Sequence, residues 1–195
     1  MQRKLIKADL FRALSRGFAY PDEDNCREVK EILTNCLEKK VLDKRSQELI
    51  MRLLRELDNT DVLKAYSDFF MKGHIPLTEG YCCSRMHSVT DVSAFYKAFG
   101  LNPKKGENPD ALTYELEFAA MLLVKESMAE NEEEKEITKD AYQKFMDDHL
   151  VDFSKQFIEK LRSFKPDPYY RTLATLLRLW VVDKHSVRPV NTMAD

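Results

Sequence analysis

The sequence predicts an all-α protein, a single-domain bundle of about eight to ten helices. Three observations carry this expectation. Apolar residues recur at three- and four-residue spacing along nearly the whole chain. No stretch sustains the apolar/polar alternation of a half-exposed strand. Prolines and most glycines fall where one periodic segment gives way to the next. A length of 195 residues suits one well-cored domain, placed at residues 1–184, with 185–195 as a loose C-terminal tail.

Ile6, Leu10, Leu14 and Phe18 share one face of a first helix, which Tyr20-Pro21 stops because the residue before proline avoids the α region. The Asp22–Asn25 cluster caps a second helix that turns Val29, Ile32, Leu33, Cys36 and Leu37 inward. A third helix follows from Asp43 with Leu49, Ile50, Leu53, Leu54 and Leu57, and a fourth runs from Asp61 to Met71 with Val62, Ala65, Tyr66, Phe69 and Phe70. Gly73, Pro76 and Gly80 then interrupt the pattern over residues 72–87. A short helix resumes at Ser88 and stops at Gly100. Asn108 as N-cap and Pro109 as first helical residue open a long central helix through Leu112, Leu116, Ala119, Ala120, Leu123 and Val124. The acidic run Glu130–Glu136 reads as a solvated connection or helix face. A further pattern from Ile137 to Leu161 bends near Asp147-Asp148-His149, Pro166 and Pro168 end it, and Tyr170 to Trp180 form the last helix.

The bulk numbers exclude several function classes. With 31 basic and 33 acidic residues there is no global field to attract nucleic acid. No apolar run approaches the ~20 residues of a spanning helix, so no integral membrane segment is expected. The N-terminus, Met1 to Leu10, lacks the continuous apolar core of a secretory signal, which points to the cytoplasm. Cys26, Cys36, Cys82 and Cys83 show no CxxC spacing and are read as free thiols of a reducing compartment.

Chemical motifs are few. No GxGxxG or GxxxxGK[ST] is present, and no bound cofactor is expected. Glu115 and Glu117 point about 200° apart on a helix and cannot flank one scissile bond. Asp110, placed in a first helical turn, serves either the helix dipole or as an anionic anchor for a basic peptide. His74, Cys82, Cys83 and His87 have suitable donor types for a metal or redox-sensing loop, although their spacing matches no familiar finger. His149, four residues from both Phe145 and Phe153, reads as a core or boundary histidine.

Four segments, in order, resemble the TorD/DmsD/NarJ family of redox enzyme maturation chaperones. They are Leu10–Pro21, Tyr66-Ser67-Asp68-Phe69-Phe70 with Pro76-Leu77-Thr78-Glu79, Pro109-Asp110 with Glu115-Leu116-Glu117-Phe118, and His149–Phe157 with Tyr170–Ala174. Ala111 stands where many relatives carry a histidine after the aspartate. The resemblance implies no enzyme, but a cytoplasmic helical chaperone. Its partner would be the apo catalytic subunit of a molybdopterin oxidoreductase, bound through its twin-arginine leader or N-terminal segment before cofactor insertion and export. Such a leader is basic at one end and apolar beyond, so its receptor needs carboxylates beside an apolar groove. The implied peptide-binding surface comprises Tyr66, Asp68, Phe69, Phe70, Pro76, Leu77, Glu79, Asp110 and Glu115. Monomer and homodimer both remain open.

Overall fold

The computed structural model describes residues 2–104 and 106–186. Its order is α1 (Gln2–Phe18), α2 (Glu23–Glu38), α3 (Lys44–Asn59), α4 (Val62–Tyr66), α5 (Glu79–Cys83), α6 (Ser88–Ala98), α7 (Leu112–Met128), α8 (Glu132–Phe145), α9 (Val151–Ser163), α10 (Pro168–Leu177) and α11 (Lys184–Ser186). Among the described residues there is no strand, so the fold is all-α as the periodicity predicts. None of these helices is long and apolar enough to cross a membrane.

Local chemistry sets most helix starts. Asp22, Asp43, Asp61 and Asn131 each accept a hydrogen bond from the backbone N–H three residues on, at 2.7, 2.8, 3.0 and 2.9 Å, and so cap α2, α3, α4 and α8. Three helices widen into π turns, at Ser67–Met71 after α4, Met146–Leu150 after α8 and Arg178–Asp183 after α10. The second lies where the sequence predicts a bend, because a π turn fits an extra residue into the helix without stopping it. Such turns often mark functional sites.

α1 is the central helix, packed along α7 on one side and α2 on another. It approaches α10 so closely that a Cβ on Gly17 would sit 2.9 Å from a methyl of Leu173. An aromatic cluster joins distant segments: Phe18 meets Phe157 at 5.1 Å and Phe70 meets Tyr170 at 5.2 Å between ring centroids.

Three expectations need correction. The long helix expected from Asn108-Pro109 does not begin there. Residues 108–111 form a turn closed by Ala111 N–H donating to Asn108 O at 3.0 Å, and α7 starts at Leu112 after Ala111 in an extended conformation. Tertiary pairing of the 110–112 backbone, described below, overrides the local start signal. The segment 72–87 is not loop throughout, since α5 occupies Glu79–Cys83. His185, the first residue of the expected tail, is not loose: it is buried in α11 with Nε2 2.8 Å from Asp147 Oδ1. The remainder of that tail, 187–195, lies outside the described residues.

Candidate functional site

The two motif segments that the sequence singles out meet in space. Leu112 N–H donates to Leu77 O and Glu79 N–H to Asp110 O, both at 2.8 Å, making an antiparallel bridge between Thr78 and Ala111. Asp110 adds a side-chain clasp: its Oδ2 accepts from Gly80 N–H at 2.9 Å and from Ser88 Oγ at 2.8 Å. Glycine is required at 80, because an added Cβ would lie 2.8 Å from Ser88 Oγ and 3.1 Å from Asp110 Oδ2. Tyr96 Oη donates to Pro109 O at 2.9 Å and holds the turn from below.

Three of the four carboxylates expected beside a groove are interior. Asp110 is buried by the clasp just described. Glu79 is fully buried: Oε1 accepts from Arg85 Nη1 at 2.6 Å, and Oε2 lies 2.9 Å from His149 Nδ1. Arg85 continues to Asp148 O at 2.5 Å and Asp152 Oδ2 at 3.2 Å, tying α5 to the π turn and to α9. Glu115 is 0% exposed, and neither carboxylate oxygen has a hydrogen-bond partner among the described residues. Burial, reinforced by the neighbouring Glu79 and Asp110 charges and only partly offset by Arg85, pushes its pKa well above the usual carboxylate range. The same three acids and burial raise the pKa of Tyr96. Burial of the three acids corrects the expectation of surface carboxylates; they brace the junction from inside. Asp68 alone stays half-exposed, paired with Lys72 one turn on.

The aromatic residues divide. Phe70 is core, 8% exposed and stacked on Phe157 at 6.2 Å. Tyr66 and Phe69 are half-buried around it. Above them opens a concavity of about 520 Å³ lined by Phe70, Ile75, Pro76, Leu77, Tyr81 and Asn108, among others. Its rim is Tyr81, 84% exposed, and Met71, at 64%, stands exposed at the end of the preceding π turn. On the other side of α5 a second cleft, about 780 Å³, is lined by Asp91, Asp147 and Asp148 with Arg85, Lys144, Phe95 and His149.

Sequence reasoning places His149 in the core, and it is 5% exposed, against Phe95 and Phe145. Its link to Glu79, and the parts played by Arg85, Ser88 and Tyr81, leave no signal in the sequence. Arg85 lies six residues beyond Glu79, across the left-handed Ser84, so no helical spacing connects the pair. The residues of the alternative metal loop do not converge. His74 stacks on Phe164 at 5.6 Å, Cys82 and Cys83 lie in α5, His87 precedes α6, and among the described residues no three His, Cys, Asp or Glu side chains could hold a metal. The four cysteines are free, Cys82 buried and Cys83 half-buried.

Residues 26–159 match the family described as nitrate reductase delta subunit. The chain belongs to that family. It is the NarJ/TorD-like family of redox enzyme maturation chaperones, not a family of catalysts. The matched segment of this delta-subunit family protein contains both halves of the clasp and all nine residues of the implied peptide surface. A solved structure of a proposed redox enzyme maturation protein from Archaeoglobus fulgidus is similar in fold, with a TM-score of 0.54 and 18% identity over 89% of this chain and 91% of that one. Comparison with the curated proteins gives no significant match.

Proposed function

We propose that this maturation chaperone captures the N-terminal leader of the apo catalytic subunit of a molybdopterin oxidoreductase, in the cytoplasm, and holds it until the cofactor is inserted. The observation that carries this reading is the clasp between the Pro76–Glu79 and Pro109–Asp110 segments. It fixes Ile75, Leu77 and Tyr81 around an open apolar concavity while every backbone group used to do so is hydrogen-bonded within the protein. A concavity that is already formed binds an apolar segment without a large ordering cost. The apolar stretch of the leader lies against Phe69, Pro76, Leu77 and Tyr81. Its arginines meet Asp68, or Asp91 and Asp148 across α5, as charge-assisted pairs. Glu79, Asp110 and Glu115 act through the scaffold.

Calorimetry with a synthetic leader tests this. A leader with two arginines should bind with a dissociation constant in the micromolar range or below. Replacing both arginines with alanine should weaken binding at least roughly tenfold, given about 1.5–3 kcal/mol for each charge-assisted hydrogen bond lost. Equal binding of scrambled and unrelated leaders overturns the proposal.

A further inference from the structure

Apart from the clasp, a further cavity of about 440 Å³ lies between the first turns of α1, the turn at 41–43 and the last π turn. Arg3, Lys4, Lys7, Lys184 and Trp180 line it, over an apolar floor that includes Val41 and Leu42. Its charges do not balance. Lys4 is paired with Glu126, and Lys184 Nζ donates to Asp43 Oδ2 at 2.6 Å. Asp43 is engaged a second time, since its Oδ1 caps α3. Burial opposes its ionisation, yet the bonds from Lys184 and Ser46 hold its pKa down to about 2. Arg3 and Lys7 are left, among the described residues, with no carboxylate partner.

Lys7 is the unusual member. Its ammonium sits 5.4 Å from the Phe11 ring centroid and 5.3 Å from that of Tyr142, contacts that replace only part of its lost hydration. Burial, with the nearby Lys184 charge, lowers its pKa to about 8. A cation kept in such a place without an anion is costly unless something supplies one. Trp180, more than nine-tenths buried, forms part of the wall, and its indole N–H has neither accessible surface nor an acceptor among the described residues. Lys184 Nζ lies 3.5 Å over the same ring. Two cations without a carboxylate partner among the described residues and an apolar floor thus share one concave site of small-molecule size.

We propose that this cavity binds a phosphate monoester whose organic part is small and apolar. Two unmatched positive charges suit the charge of roughly −1.5 to −2 that such a phosphate carries at neutral pH. Its terminal oxygens accept from Arg3 and Lys7, and the organic part covers Val41 and Leu42. The partly exposed Lys4 and Lys184 are already committed to carboxylates and tune the field without direct contact.

Trp180 is the one tryptophan of the chain, so its fluorescence reports this cavity. Phenyl phosphate, titrated at fixed ionic strength, should give a saturable change, and inorganic phosphate and benzoate should bind at least roughly tenfold more weakly, as each lacks the apolar body or the second charge. Lys7→Met and Arg3→Gln should each weaken phenyl phosphate binding by about tenfold or more. Arg3→Gln changes an exposed side chain and leaves folding intact even if Lys7→Met does not. Vesicles of phosphatidylcholine with phosphatidic acid supply the same headgroup chemistry from a lipid. Binding to these vesicles with no response to the soluble ester overturns the small-molecule assignment. So does an absent or non-saturable response, an equal response to inorganic phosphate, or unchanged binding in both variants. Leader binding uses neither residue, so failure here leaves the chaperone reading standing.

Discussion

The open concavity and the polar junction beneath it are built from the same two sequence motifs, yet they follow opposite rules. In the concavity, Pro76, Leu77 and Tyr81 keep apolar surface in contact with solvent, and Tyr81 is 84% exposed. In the junction, Glu79 and Glu115 bury carboxylates completely. Either arrangement alone would be a liability, as exposed apolar surface invites aggregation and buried charge costs stability. Together they suggest a division of labour in which the junction spends polar groups on rigidity so that the concavity can stay open. Within the junction a second contrast appears. Glu79 is matched by Arg85 and His149, whereas Glu115 has no hydrogen-bond partner among the described residues, and burial pushes its pKa well above the usual carboxylate range.

The largest expected effect comes from breaking the matched half. Glu79→Ala leaves Arg85 and His149 without their shared anion and should cost about 3–5 kcal/mol, read as a fall in the thermal midpoint. Leader affinity would fall only as far as the folded fraction does. A Glu79→Ala protein that melts normally but has lost the leader would show that Glu79 touches the peptide and that the division is wrong.

Phe70→Ala should cost nearly as much, about 3 kcal/mol, because Phe70 is almost wholly buried against Phe157 and Tyr170 at the base of the concavity. Normal melting with weaker leader binding would move Phe70 to the concavity side of the comparison.

Glu115→Gln should act in the other direction. The raised pKa means that the folded protein holds more protons than the unfolded chain above the ordinary glutamate pKa of about 4.3. Stability therefore falls as pH rises from there towards the folded-state value. The variant removes this slope and should melt higher at neutral pH, by about 2–4 °C for each kcal/mol recovered. An unchanged pH profile would mean that Glu115 titrates normally.

The smallest effect on stability, within about 0.5 kcal/mol, is expected for Tyr81→Ala. Its effect on leader affinity should be large, roughly tenfold or more, as for an aromatic anchor at an interface. Full leader affinity in this variant would remove the concavity from the binding site.

The amino-acid sequence by itself determined the helical architecture and the stops between helices. Periodicity and caps are local properties, and Asp22, Asp43 and Asp61 act within three residues of themselves. It also determined the family, through short motifs whose order survives without any geometry. It identified Asp110 and Glu79 as special but misplaced their role, because a carboxylate looks the same in sequence whether it faces water or a backbone N–H thirty residues away. Tertiary structure decided that α7 begins at Leu112, since the hydrogen bonds to Leu77 and Glu79 hold Ala111 extended against a local signal for helix. It also decided that His185 belongs to the folded body and that Arg3, Lys7, Lys184 and Trp180 form one cavity. Residues some 180 positions apart share no local pattern, and only the packing of the last π turn against the start of α1 brings their charges together.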